Sequence, residues 1–442
     1  MSDLLNIGAS GLRAYSRALA TVSDNIANAQ TAGYARRTIE LREAPAAGDI
    51  VLSRNSIRPG GVETVGVRRS VDPWLIEDAR TASGDSTRSS ARMGAIDATE
   101  RALDDGVGGI GESLTRIFTT ADQLAADPAN PTLRAIFLQS VDDTATAFRR
   151  TATTMDSAAS GVAQSASGTV DALNTDLAAL EQVNLGLRRA RAGSTNEATL
   201  LDERDRLVDR ISSALPATSS FDARGAATLT ASDGGSPLVA NGSVSTVSVS
   251  MLASGQLAYS VTPGGALVPT SGALAGLAQG ADHIAAQHSN LDALAAQFAS
   301  DLNGWHQAGF DGNGNPGAAL LSGNAAATLT ALTLTTDAVA AADTGSGNGK
   351  ALQLAILRGP SGVEAGWAAL VSQQAQQASS ARAQDAAAST RRDGAFAARD
   401  MVGEVDLDRE AAELLRFQQA YEAAARTVQV ARETMQSILN IF

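Results

Sequence analysis

LDREAAELLRFQQAYEAAARTVQVARETMQSILNIF, residues 407–442, reads as one long helix with an apolar seam. Leu407, Leu414, Tyr421, Val428, Met435 and Phe442 recur every seven residues, and Phe417, Ala424, Ala431 and Ile438 fall three residues after the middle four. That is an a/d pattern held over five heptads with no Gly or Pro inside it, the mark of a helix that packs along another helix. Chain ends usually fray, so a seam that continues to the last residue is expected to find a partner.

The opposite end offers one. Residues 3–33 carry Leu5, Leu12, Leu19 and Ile26 at intervals of seven, with Gly8, Tyr15, Val22 and Ala29 in the second seam position. Ala9, Gly11, Ala14, Ala18, Ala20 and Ala27 are small enough to let another helix approach closely, and Gly33 is a natural C-terminal stop. Two arrangements follow: an antiparallel hairpin within one molecule, or ends that order fully only in an assembly. One thin seam removes little apolar surface from water, while ordering the backbone of a helix this long is costly. The balance favours the assembly.

The chain has 442 residues, enough for two to four domains. Aromatics are only 4%, so helices packed by small residues are expected rather than one aromatic core. The net charge of −13 argues against nucleic acid or an anionic membrane as partner. Lys350 is the single lysine, and the other basic side chains are arginine. With no cysteine, disulfides and thiolate chemistry are excluded. The first residues lack a basic stretch followed by a long apolar run, and no apolar run approaches the roughly 20 residues that span a bilayer. A cytoplasmic protein, or one exported without a cleaved signal, is expected.

Residues 38–75 change character. Thr38, Ile39, Leu41, Val51, Ile57, Val62, Val65 and Val67 are spread among Pro45, Gly48, Pro59, Gly60 and Gly61, an extended connector with short strands. Asp72-Pro73-Trp74-Leu75 opens a helix. From 74 to 215 the pattern is helical. Leu114, Ile117, Ala121 and Leu124 share a face of a helix ended by Asp127-Pro128; Leu133, Phe137, Val141 and Phe148 mark the next; Val170, Leu173, Leu177, Leu180 and Leu187 a third; Leu200, Leu201, Leu207, Val208, Ile211 and Leu215 a fourth. The charged run from Asp202 to Asp209 reads as a salt-bridged, solvated face. Residues 216–271 switch to period two: Val247, Val249 and Met251 alternate with serine, and Leu257, Tyr259 and Val261 with Ala and Ser. Turns at Asp233-Gly234-Gly235, Asn241-Gly242 and Pro263-Gly264-Gly265 complete an antiparallel β insert. Helix returns over 272–308, a glycine-rich β segment is expected over 325–358, and a Gln/Ala/Arg-rich helix over 362–400, with Gly394 and Gly403 as bends.

SDNIANAQTAGYARR, residues 23–37, is similar to the N-terminal signature of flagellar rod, hook and hook-associated proteins: NNIAN, a short link, then T-x-G-Y/F. RFQQAYEAAAR, residues 416–426, resembles their C-terminal Q-x-A-Y-x-A-x-A/N core. Phe118 to Arg134, reading F-x5-L-A-A-D-P-x5-R, and Leu200 to Asp205, reading L-L-D-E-R-D, resemble more narrowly the hook-associated proteins of the first type, the hook–filament junction proteins. Residues 301–320 are similar to that family's N-x-x-H-x-x-G-x-D-x-N-G stretch, through His306, Gly309, Asp311, Asn313 and Gly314. The match of residues 347–352 to its G-D-N-x-N-A is partial, because the Asp is absent.

Catalytic constellations are weak. His283 and His288 are five apart, about 140° around a helix, rather than four, and His306 stands alone. The run from Asp311 begins like a calcium loop, but Pro316 takes the glycine position and Ser322 the glutamate position. Gly345-Ser346-Gly347-Asn348-Gly349-Lys350 has its first glycine one residue too late for a phosphate loop, and Ala351 cannot ligate magnesium. No G-x-S-x-G occurs.

The expected fold is mostly α with a smaller β part: terminal helices paired as a coiled coil, a long-helix middle domain and an inserted antiparallel β domain. The resemblance implies an inner assembly domain from 1–45 plus 400–442, a helical middle from 46–215 plus 272–399 with short β segments, and an outer β domain from 216–271. It implies a secreted, extracellular structural component of the bacterial flagellum, exported by the type III route, that joins hook to filament as a mechanical adaptor, with no enzyme activity, cofactor or metal. Its implied partners are further copies of itself in a ring, the hook protein, the next hook-associated junction protein, and an export chaperone at the C-terminal helix. The expected assembly interface is Leu5, Leu12, Leu19, Asn25, Ile26, Asn28, Gly33, Tyr34, Leu407, Leu414, Phe417, Gln418, Tyr421, Val428, Met435, Ile438 and Phe442. The competing readings are a flagellar hook or rod protein, and a secreted enzyme that uses flagellar-type ends as an export tag.

Overall fold

The computed structural model describes residues 2–31, 33–44, 60–232 and 235–440. Phe442, the connector residues Pro45, Gly48, Val51, Ile57 and Pro59, and the turn at 233–234 lie outside them. Helix makes up 66% and strand 13%, so the molecule is mostly α.

Helix α1 (Ser2–Asn28) leads into a hairpin of β1 (Arg37–Ala44) and β2 (Gly61–Arg69), paired antiparallel from Arg37↔Arg69 to Ala44↔Gly61. The first helix stops five residues before Gly33, which instead adopts φ +76° in the turn that follows. That turn brings Tyr34 to Arg37 back alongside the helix. Helix α2 (Pro73–Ala102) starts where the sequence placed it: Asp72 accepts from the Trp74 and Leu75 amides, and Pro73 sits in the first turn, where its missing N–H is harmless.

Helix α3 (Ile110–Ala126) ends at Asp127, as expected. The next two helical patterns are one element. Helix α4 (Pro131–Arg189) runs 59 residues, roughly 88 Å at 1.5 Å per residue, and is the spine of the molecule. Gly161 and Gly168 fall inside it but meet nothing within 4 Å, and without a proline or a competing cap the helix has no cause to stop. Its N-terminal half packs with α3, and its C-terminal half with α5 (Thr195–Ala214) and the β insert.

The insert holds β3 (Ala217–Phe221), β4 (Ala227–Ala231), β5 (Pro237–Ala240) and β6 (Ser243–Val244) in one sheet, and β7 (Thr246–Met251), β8 (Leu257–Thr262) and β9 (Gly265–Leu267) in another. The period-two reading holds residue for residue: Val247 pairs with Val261, Val249 with Tyr259 and Met251 with Leu257. Leu229, Val239, Val247, Tyr259 and Val261 share one core with Val170, Leu173, Leu177, Leu207 and Ile211, so the sheets bury their inner faces on α4 and α5.

Helix α6 (Gly272–Gln307) crosses α2 closely. A Cβ on Gly276 would sit 2.2 Å from the Arg88 carbonyl oxygen, and one on Gly280 2.4 Å from the Ala95 Cβ, so glycine is what permits the contact. The expected β segment over 325–358 is not one. The strand pairing there is limited to β10 (Leu321–Ser322) with β11 (Thr330–Ala331) and a lone bridge from Ala342 to Phe310; short 3-10 turns and α7 (Gly349–Gln353) fill much of the rest. Leu329, Val339, Ala340 and Ala341 are fully buried, so this stretch is held by core contacts rather than a ladder. Helix α8 (Val363–Gly403) passes straight through Gly394 and ends at Gly403, and α9 (Leu407–Leu439) begins on the Asp406 cap. No helix among the described residues is long and apolar enough to cross a membrane.

Candidate functional site

The two ends do pair within one chain. Helices α1 and α9 run antiparallel: Gly8 lies against Val428, Gly11 against Ala424, the Tyr15 ring 6.5 Å from Phe417, and Asn25 against Glu410. The buried centre of the α1 face is small: Gly8, Gly11, Ala14, Ala18, Val22 and Asn25. Leu5, Leu12 and Leu19 are half-buried beside it, and Ile26 is 38% exposed. The leucine stripe is therefore the edge of the contact and the glycine–alanine stripe its middle. A Cβ on Gly8 would sit 2.7 Å from the Val428 Cγ2, so bulk there would force the helices apart.

On α9, Leu414, Phe417, Ala424 and Val428 are half-buried and Ala431 is buried, following the seam. Much of its larger apolar surface finds no cover. Leu415 is 59% exposed, Val430 60%, Leu407 53%, and Tyr421, Met435 and Ile438 about two-fifths each. Gln418 also faces solvent.

Two polar residues sit in the seam and close it. Asn25 is fully buried. Its Nδ2 donates to the Arg37 carbonyl (2.8 Å) and the Glu410 carboxylate (2.9 Å), and its Oδ1 accepts from the Arg37 amide (3.0 Å) and the Tyr34 hydroxyl (2.9 Å). Every hydrogen-bonding capacity of that amide is used inside one chain, which moves Asn25 from the expected surface into an internal clamp. Glu410, equally buried, also holds Arg36 Nε at 2.7 Å. Burial pushes the Tyr34 hydroxyl up to about 12, opposed by the Arg37 guanidinium 4.7 Å from its ring. Asn28 bonds locally, donating to the Asp24 carbonyl and accepting from Thr31. Asn28, Gly33 and Tyr34 line a polar cleft with Thr199 and Arg206.

Arg36 and Arg37 are consecutive on extended chain and so point opposite ways. Arg36 reaches α9, whereas Arg37 reaches Asp202 on α5 at 2.7 Å. Asp202 is the first step of a ladder. Asp202, Asp205 and Asp209 lie at i, i+3 and i+7 on one helix face. Arg69 from β2 meets Asp202 and Asp205, both at 2.7 Å; Arg80 from α2 meets Asp205 at 3.5 Å and Asp209 at 2.7 Å; Arg399 from α8 meets Asp209 at 2.9 Å. The Arg69 Nε–Asp202 Oδ1 approach is a close ion contact but not an aligned hydrogen bond, and the buried Arg37 Nε has no hydrogen-bond partner. The expected solvated face is thus wrong: Arg37, Arg69, Arg80 and Asp202 side chains are all under 10% exposed. Burial works to raise the Asp205 carboxyl, but Arg204 and Arg69 outweigh it and hold the group below its ordinary range. Burial lowers Arg204 in turn, with Arg69 and Arg80 repelling it.

Charges buried this way favour one geometry more than they add stability. Here the geometry is the angle between the terminal hairpin and the helical body, because the rungs come from β1, β2, α2 and α8. Sequence reading missed the rungs, which lie more than a hundred residues from the aspartates, although the i, i+3, i+7 acids were a usable signal. It also missed Glu410, which occupies a seam position three residues after Leu407.

The asparagine clamp recurs. Asn174 and Asn184 on α4 each accept from and donate to a single residue of the insert, Val247 and Ala227, at 2.7–2.9 Å. Asn303 on α6 accepts from the Leu320 and Leu321 amides and donates to the Leu321 carbonyl. Each lets a helix satisfy the edge of non-helical chain that would otherwise bury unpaired peptide groups. His306 plays a similar part: Nδ1 lies 2.6 Å from the Ala318 carbonyl, Nε2 accepts from the Ala340 amide, and burial lowers its pKa. His283 is bonded to Gln374 and His288 lies between Asp156 and Asp292, and among the described residues no three His, Asp or Glu side chains converge as a metal site would need.

The end helices, paired around a buried polar clamp, are also the parts that two flagellar family models match. The family model described as flagella basal body rod protein matches residues 5–34, and that of the flagellar basal body rod FlgEFG protein C-terminal matches residues 404–441. The model of the flagellar hook-associated protein FlgK helical domain matches residues 96–321, just over half of the chain, and the chain belongs to that family. Flagellar hook-associated protein 1 of Escherichia coli is 27% identical over 331 residues, covering 72% of this chain and 59% of that protein. The Bacillus subtilis protein of the same name is 23% identical over 490 residues, covering 97% of this chain and 96% of its own length. The solved FlgK hook junction protein of Burkholderia pseudomallei shares the fold, with a TM-score of 0.50 and 22% identity over 55% of this chain and 46% of that one.

Proposed function

We propose that this chain is a structural component of the bacterial flagellar axis that joins hook to filament by self-assembly through its terminal helices and acts as a mechanical adaptor without enzymatic chemistry. The observation that carries the reading is the uncovered apolar stripe of α9. A helix that packs on the glycine–alanine face of α1, and leaves Leu415 and Val430 about 60% exposed, has apolar surface for neighbouring copies to cover. Family membership and the named relatives support the same reading.

On this proposal the inner assembly domain is 1–45 plus 400–442, the helical middle is 46–215 plus 272–399, and the β part is 216–271. The subunit is exported through the flagellar type III route, guarded by a chaperone on α9, and assembles extracellularly as a ring between the hook protein and the next junction protein. Leu407, Tyr421, Met435 and Ile438 are the interface residues most available to a second copy, together with Leu415 and Val430. The Arg–Asp ladder fixes the orientation of the hairpin, so that strain between hook and filament passes into the long helices.

The test is made in cells whose only copy carries Leu415→Ser, Tyr421→Ser and Val430→Ser. The expected result is normal subunit export with filaments lost from the hook and motility abolished. Retained filaments with normal swimming would contradict the proposal.

A further inference from the structure

Of the three tryptophans, Trp305 and Trp367 are buried at 5% and 2% exposure, while Trp74 is 85% exposed. It does not stand alone. Helices α2 and α8 run antiparallel, as the Arg92–Gln384 bond and the Arg382–Asp97 ion pair require. The end of α8 meets the start of α2: a Cβ on Gly403 would lie 3.5 Å from the Ser70 carbonyl oxygen. Met401 (78% exposed), Val402 (42%) and Val71 (39%) therefore lie at the same end as Trp74, and together they make that end, at the base of the α1–α9 hairpin, rich in exposed apolar residues.

The rim is acidic. Asp78 follows Trp74 by one helical turn, Glu404 follows Met401, and Asp408 opens α9; none of these three has an ion-pair partner among the described residues. The cations near the patch are Arg399, held between Asp209 and Asp400, Arg36 and Arg69, held by Glu410 and by Asp202 and Asp205, and the exposed Arg68 and Arg409. The complementary charge is on the same molecule but elsewhere. Arg13 and Arg17, one turn apart on α1, and Arg426 and Arg432 on α9 are exposed along the outer part of the hairpin and make no ion pair among the described residues.

From this complementarity we infer that the Trp74 patch receives the outer part of the terminal hairpin of a second copy, with Trp74 as its buried anchor and Arg13 and Arg17 meeting Asp78 and Glu404. The inference rests on the self-assembly proposed above and assigns it a contact. Two different surfaces are joined, so the interface is heterologous and propagates from copy to copy into a ring or helix instead of closing as a two-fold dimer. An exposed aromatic anchor inside a charged rim is how such interfaces gain both affinity and orientation.

The test uses the full-length chain. Asp78→Arg with Glu404→Arg lies on the surface and leaves the core untouched. It is expected to weaken self-association, measured by sedimentation, by about tenfold or more. Combining it with Arg13→Glu and Arg17→Glu is expected to restore most of the loss. Because the chain has no cysteine, Trp74→Cys on one tagged population and Arg17→Cys on another give a clean oxidation test. Mixed disulfide dimers support the contact. Trp74→Cys dimers with themselves alone, or unchanged assembly in the charge-reversed variant, overturn it while leaving self-assembly standing. Failure of the unmodified chain to self-associate under any condition overturns both.

Discussion

The helical body and the terminal hairpin treat apolar side chains in opposite ways. In the body, Phe137, Phe148, Leu124, Leu177 and Leu187 are completely buried, and the Phe148 and Phe298 rings stack at 5.8 Å. In the hairpin, the buried centre is Gly8, Ala14 and Ala18, while Leu4, Leu415 and Val430 are half or more exposed. The body completes its core within one chain, although Trp74 and Met401 at its end stay exposed. The hairpin leaves several of its larger side chains uncovered and is held in place by polar groups, Asn25 and Glu410 within it and the arginine ladder beneath it. On the proposed self-assembly, stability belongs to the buried core and assembly to the exposed apolar side chains, and substitutions should separate them.

The largest effects on the lone subunit belong to the body and the ladder. Phe148→Ala is expected to cost about 3–5 kcal/mol in denaturant unfolding, through lost transfer energy and the cavity left behind. Asp202→Ala is expected to cost a similar amount, about 3–5 kcal/mol, because it strands Arg37 and Arg69 in a buried site. It should also free the hairpin from the body, read as faster amide exchange over residues 33–44. Next comes Asn25→Ala, about 2–3 kcal/mol, since the buried Arg37 peptide loses both of its partners.

The pH response should follow the buried groups. His306 and His283 are held neutral, so as pH falls below about 6.5 the unfolded state takes up their protons first and stability declines. Asp205 is held charged, so its contribution is full above about pH 4 and is lost as pH falls further, through its depressed folded value. Tyr34 acts at the alkaline end. Its contribution is present below pH 10 and lost as pH rises toward about 12, and Tyr34→Phe should flatten that limb of an unfolding profile. The smallest effect on the lone subunit is Leu415→Ala with Val430→Ala, within about 0.5 kcal/mol for each substitution, against a clear loss of self-association. An equal loss of subunit stability in the body and hairpin variants would erase the contrast.

Local pattern revealed what depends on neighbours along the chain. The helical heptads of α9, the helix start at Asp72-Pro73 and the period-two strands around Val247 and Val261 all arise from patterns over a few residues, and all were legible. Long-range polar geometry was not. Nothing near Asp202 announces Arg37, Arg69, Arg80 or Arg399, and the acids therefore read as a solvated face. Asn174 and Asn184 look like ordinary polar positions until the insert folds onto them. The 59-residue run of α4 was divided because two apolar stripes suggested two helices, yet the sequence offers no proline or cap between them. The stretch from 325 to 358 failed for the opposite reason: its order comes from burial, with hardly any repeating backbone pattern.

Hydrogen exchange on the free subunit and on the assembled protein tests the central claim most directly. The account predicts slow exchange across α3 and α4 in both states, with α1 and α9 exchanging fast in the free subunit and becoming slow on assembly. Ends that are already as protected as α4 in the free subunit, and unchanged on assembly, would contradict it.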